Sequence, residues 1–251
     1  GGGSPDLYAE NPSSATAPSA TGLNAVAIGS SATASGGASG TNSSVAIGTS
    51  ASATANGAAA FGGLTPQANG IGSLALGYTP SAGSSFSAAI GYNATTATGS
   101  RATALTNSRA SGTDSFAAAI ANNTSSYGAS GANSVAMGTL AKASSTSAIC
   151  LGMISISSGA RAVNFGSYST ASGSYSAVLS GVSNSVGQNY SVVLNGAGSV
   201  NNIAGKVVWG NHGLTGNEGG MYRFFADTTT ATPEALTTTN TTAGTNNQII
   251  L

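Results

Sequence analysis

A four-residue pattern, apolar–small–apolar–glycine, returns thirteen times along this 251-residue chain. It reads VAIG, VAIG, AAFG, LALG, AAIG, TALT, AAIA, VAMG, ICLG, VNFG, AVLS, VVLN and VVWG. The closing residues are Gly29, Gly48, Gly62, Gly77, Gly91, Thr106, Ala121, Gly138, Gly152, Gly166, Ser180, Asn195 and Gly210. Successive copies therefore lie 19, 14, 15, 14, 15, 15, 17, 14, 14, 14, 15 and 15 residues apart. A near-constant period of this length means a chain that winds, each turn stacked on the one before. The fold class follows: an all-β parallel coil, or β-solenoid, of about thirteen short turns.

Within each copy the residue before the closing position is large and apolar, from Ile28 to Trp209. Two residues earlier stand Val26, Val45, Leu74, Val135, Ile149 and their equivalents. Strand side chains alternate, so these two positions share a face. Their size predicts that this face is the interior of the coil. The residue between them points the other way and is small: Ala27, Ala46, Ala60, Ala75, Ala89, Ala104, Ala119 and Ala136, then Cys150, Asn164, Val178, Val193 and Val208. A column of alanine predicts the close approach of another backbone outside the coil. The second half of each turn, such as SSATASG or SYSTASG, alternates small polar with small apolar residues and reads as a second, outer strand. The two long intervals predict small loops at 36–42 and 128–133. Stacked strands lie roughly 4.8 Å apart, so twelve intervals predict a rod about 58 Å long.

Composition removes most functions that need charge. Charged residues make up 5% of the chain and the net charge is zero, so no electrostatic footprint for nucleic acid exists. No apolar run is long enough to span a bilayer, so no membrane insertion by this segment is expected. The lone Cys150 allows no intrachain disulfide and reads as a buried, inert thiol. The single His212, with Glu218 and Asp227 merely near it in sequence, reads as a loop residue and not as a catalytic or metal group. Glycine-rich stretches lack the Lys-Ser/Thr of a phosphate loop, and three aspartates cannot supply a calcium-binding repeat. No catalysis, cofactor or metal is expected. Tyr78, Tyr92, Tyr168 and Tyr175 could contact sugars or protein receptors but read as half-buried strand residues, and no binding site is named.

The copies Asn24-Ala25-Val26-Ala27-Ile28-Gly29, Asn42-Ser43-Ser44-Val45-Ala46-Ile47-Gly48 and Asn133-Ser134-Val135-Ala136-Met137-Gly138 resemble the N-S-V-A-I-G motif of the heads of trimeric autotransporter adhesins, the YadA-like family. The resemblance covers residues 23–210. It implies a left-handed parallel β-roll, three chains side by side, and an adhesive or receptor-binding role. If so, the alanine column approaches the threefold axis, and three copies of Asn164 meet there, either in a ring of amides or at a wetter part of the interface. No neck motif or heptad follows Gly210. The stretch from Asp227 to Leu251 and the N-terminal LYAENPSSATAPSATG instead resemble structural proteins of tailed bacteriophages.

The resulting expectation is a phage tail-fibre or receptor-binding shaft. Its partners would be two further copies of the chain, other virion structural proteins and a bacterial surface receptor, protein or glycan. The alternative is the head of a bacterial trimeric adhesin. Residues 1–22 are expected to be an extended segment, 23–210 the roll, and 211–251 a capping segment opening a β-rich region. Trp209 is expected to be buried against residues 221–227. The GGGS beginning and the Ile249-Ile250-Leu251 end read as the ends of a fragment.

Overall fold

The structure is a computed structural model that describes residues 16–36, 43–96, 99–118, 126–209, 211–212 and 219–221. Every regular element among them is a β-strand, and none is a helix long and apolar enough to cross a membrane. Thirteen strands, from Val26–Ile28 to Val207–Trp209, pair in chain order and in parallel as one sheet. The partners repeat the sequence period: Ala46 faces Ala60, Ala60 faces Ala75, Ala75 faces Ala89. A second ladder, from Ser19–Ala20 to Val200–Asn201, collects the other half of each turn. Where its strands shrink to single bridges at Thr95 and Arg109, it still continues in parallel. The chain is therefore a parallel β-solenoid. At its C-terminal end Gly219–Met221 pairs antiparallel with Val207–Trp209, closing the last strand edge.

Two corners per turn bend the coil, and both are left-handed. One corner runs through Ser31, Ser50, Thr79, Asn93, Leu140, Ile154 and Tyr168, with φ between 51° and 59°. The other runs through Asn24, Phe86, Arg101, Asp114, Asn133, Ser147, Arg161, Tyr175 and Tyr190, with φ between 55° and 57°. Asn tolerates this conformation, and bulkier residues pay roughly 1–2 kcal/mol for it. Glycine at the closing position answers a different need. A Cβ at Gly48 would lie 1.8 Å from the carbonyl oxygen of Gly62 one turn on, and its φ is +131°.

The two faces of the main sheet are the reverse of those expected. Ala46, Ala60, Ala75, Ala89, Ala104, Ala117 and Ala136 have no exposed surface within a single chain. They face inward, against Ala34, Ala53, Ala68, Ala82, Ala110, Ala129 and Ala143 of the second ladder. The large residues on either side of them point out. A turn of about 14 residues with two tight corners cannot surround two rows of Leu and Ile. It closes around two rows of methyl groups. The alanine column is thus the core of the coil and not its contact with a neighbour.

Three further expectations are corrected. The seventh strand is Phe116–Ala118, pairing Ala117 with Ala136, so the repeat closes at residue 119 and not at Ala121. The loop expected at 128–133 is instead the strand Gly128–Ala129 and the corner that follows it. The loop expected at 36–42 lies almost wholly outside the described residues. Asn164 is fully buried inside its own chain. Its amide donates to the carbonyls of Ile156 (3.1 Å) and Ser169 (2.7 Å), and its Oδ1 accepts from the Gly166 N–H (3.0 Å). Both amide hydrogens are used within the chain, so no donor is left for a ring about a threefold axis.

Candidate binding surfaces

The inverted faces give the molecule one distinctive surface. Ala inside and polar residues outside describe the second ladder, where Thr33, Ser52, Gln67, Ser81, Lys142, Thr170 and Ser185 stand on the outward side. The main sheet has Ala inside and Val, Leu, Ile, Met or Phe outside. Leu76, Met137, Leu151, Phe165, Leu179 and Leu194 form its more exposed row, with Leu76 at 43%. Val45, Leu74, Val135, Ile149, Val163, Val192 and Val207 form a half-buried row beside it. Trp209 ends the exposed row at 39% and is not buried as expected. Residues 222–227 lie outside the described residues.

A strip about 58 Å long and two side chains wide presents several hundred Å² of contiguous apolar surface. Surfaces of that size are interaction sites, because fully covering each Leu is worth about 1.5–3 kcal/mol. Within one chain the coil stands on its backbone ladders, such as Val26 N–H to Ser44 C=O at 2.9 Å and Leu74 N–H to Ser87 C=O at 2.9 Å. Its interior, lined by alanine methyl groups from Ala46 to Ala148, buries little apolar area per residue there.

Exposed side chains also stack along the corners. Tyr78 and Tyr92 lie on adjacent turns with ring centroids 5.7 Å apart and planes 12° from parallel. Tyr175 and Tyr190 do the same at 5.1 Å and 12°. The Arg161 guanidinium sits 5.1 Å from the Tyr175 ring centroid and donates to its hydroxyl at 2.5 Å. One rung type also carries an ion pair: Arg101 donates to both carboxylate oxygens of Asp114, at 2.5 and 2.7 Å. Arg101 holds the Asp114 carboxyl below its ordinary range, by hydrogen bonding first.

The tyrosines are corner residues, more exposed than half-buried strand residues. Tyr168 and Tyr175 belong to different corners, on either side of the strand Thr170–Ala171. Tyr190 escaped the sequence reading. Its signal was present in the spacing of Arg161, Tyr175 and Tyr190, which follow each other by one turn.

Cys150 is fully buried in the core column, and its Sγ–H donates to the Ser155 carbonyl at 3.1 Å. Burial pushes its pKa up. The strand Asn211–His212 pairs in parallel with Gly196–Ala197, while Glu218 and Asp227 lie outside the described residues. Among the described residues no three of His, Cys, Asp and Glu come together as a metal site.

Comparison with curated protein sequences gave no match. Comparison with family models gave two: the YadA head domain repeat matches residues 20–43 and again residues 129–153. Both stretches contain or adjoin an N-terminal Asn corner and a strand of the main sheet, and the chain is similar to YadA heads there.

Proposed function

We propose that this protein is a homotrimeric adhesive rod that works at an extracellular surface by binding, without catalysis. The observation that carries this reading is the outward apolar strip of the main sheet. A strip on one face of a coil with no net charge is suited to self-association, since an identical strip on a second and third copy matches it in length and register. Three coils around one axis would cover the strip and leave corners and polar ladders free. The YadA head repeats support both the three-chain arrangement and the adhesive role.

The setting we favour is a bacteriophage virion, as a tail fibre or receptor-binding shaft engaging a bacterial surface receptor. It is supported by the Thr-rich sequence from Asp227 to Leu251 and by the N-terminal segment. The YadA repeats are equally compatible with a second setting, the head of a bacterial trimeric adhesin. Sedimentation equilibrium tests the assembly: a mass of about 71 kDa, three times the 23.8 kDa chain, is expected. A monomer at micromolar concentration would remove the reading. Adherence of the labelled protein to bacterial cells tests the role, and its absence on every host tried contradicts it.

A further inference from the structure

The Arg161–Tyr175–Tyr190 ladder ends on an open rung. These residues occupy the same corner on three successive turns, all at φ near +57°. The next residue in that column is Gly205, again left-handed at φ +71°. A Cβ built there meets no heavy atom within 4 Å. Earlier in the same column a glycine rung is filled: a Cβ at Gly72 would meet the Phe86 ring of the following turn at 2.9 Å. Among the described residues nothing corresponding covers Gly205. Tyr190, 65% exposed, therefore presents a ring to solvent beside a vacant step of its own stack.

We propose that this step is a binding site for a neutral carbohydrate, a pyranose ring continuing the stack on Tyr190; the proposal rests on the adhesive reading above. A flat apolar ring face with a polar edge is the complement of a sugar, whose C–H face is apolar and whose rim is hydroxyls. Gln188 and Asn202, exposed and close in sequence to Tyr190 and Gly205, supply amide donors and acceptors for that rim. Asn189 is engaged on the other side, its Oδ1 accepting from the Ser174 N–H of the preceding turn at 2.8 Å. The Arg161 charge is spent one turn away on Tyr175, and the chain has no net charge to draw an acidic ligand. Left-handed corners elsewhere are met by Asn, Asp, Ser and Gly and also by Phe86, Arg101, Leu140, Ile154 and Tyr168. Two successive tyrosines there carry a conformational cost that their exposed rings do not recover by burial within the chain.

The test uses the full chain on a printed array of neutral and acidic oligosaccharides, with titration of the strongest neutral glycan. Tyr190→Ala is expected to weaken that binding at least tenfold. Gly205→Tyr fills the open step with a residue that positions 175 and 190 already accept. It is expected to weaken binding similarly while leaving the circular dichroism and melting temperature unchanged. Binding of acidic glycans alone, or neutral binding unaffected by both variants, overturns the proposal. So does a blank array. If the labelled protein still adheres to bacterial cells when the array is blank, the adhesive role survives and the ligand is of another class. If it adheres to nothing, both readings fall.

Discussion

From Ala46 to Ala148 the coil is filled with methyl groups, and from Cys150 to Val208 it is filled with something else. The same inward column continues as Cys150, Asn164, Val178, Val193 and Val208, facing Ser157, Ala171, Val186 and Asn201. The larger residues come with two other changes. A third short ladder opens, joining Ser167, Val182 and Ala197 turn to turn. The closing glycines also change role: Gly138 is left-handed at φ +117°, whereas Gly152 keeps glycine for space, its Cβ position lying 1.9 Å from the Gly166 carbonyl oxygen. The wider cross-section then needs polar bracing. Asn164, Asn184 and Asn201 each span the interior. Asn184 donates to the carbonyls of Ser180 and Gly196 and accepts from Ser199. Asn201 donates to those of Val192 and Lys206. A coil of fixed period can thus hold either two rows of methyls or a braced mixture, but not both in one turn.

Exchanging residues between the two stretches should break each. Ala104→Gln is expected to have the largest effect, because a fully buried methyl position has no volume for a long polar chain. Overpacking costs about 1–3 kcal/mol, and an unpaired buried amide adds about 1–3 kcal/mol. Loss of the β-sheet circular dichroism signal at ordinary temperature is the expected result. Asn164→Ala comes next. It leaves the Gly166 N–H and two carbonyls without their partner, and should cost about 3 kcal/mol in denaturant titration at about 1 kcal/mol per lost bond. Because the amide is satisfied within its own chain, subunit number should not change.

Cys150 sharpens the boundary between the stretches. Its thiol is buried, and burial raises its pKa. A folded-state pKa above the unfolded value of about 8.5 contributes stability that is whole below that pH and is lost as pH rises through the folded value. Cys150→Ala should therefore flatten the fall in melting temperature above about pH 8.5. An aromatic disulfide reagent should react with the native protein only as fast as it unfolds. The smallest effect is expected at Asp114. Its depressed pKa gives stability present above the unfolded carboxylate value and lost as pH falls through the folded one. The pair is exposed, so Asp114→Asn should shift the melting temperature barely, and not at all in 1 M salt.

The winding of the chain was legible in the sequence because a period needs no knowledge of which side is inside. Thirteen strands in parallel register follow from the spacing alone. The side was not legible from the VAIG strands, since both of their faces are apolar and size alone favours the wrong one. The deciding signal lay in the other half of the turn. There Ser and Thr alternate with Ala, so only Ala can face inward, and a narrow coil must match it with Ala opposite. The seventh repeat failed for a related reason. SFAAAIA offers two frames of the same pattern, and the corner serine picks one. Ser115 donates to the Gly112 carbonyl at 2.6 Å just as Ser134 donates to that of Gly131 at 2.6 Å. The buried alanine follows two residues later in both. The tyrosine ladder was hidden because a left-handed corner is not where an aromatic residue is expected.

The central claim is that Ala75 is core and Leu76, its neighbour, is surface in the chain and interface in the assembly. Sedimentation equilibrium of Leu76→Glu combined with Leu179→Glu tests it most directly. Both positions are more than 40% exposed in one chain. The account predicts a trimer for the parent protein and a folded, β-rich monomer of about 23.8 kDa for the double variant. A folded trimer carrying both substitutions would contradict it.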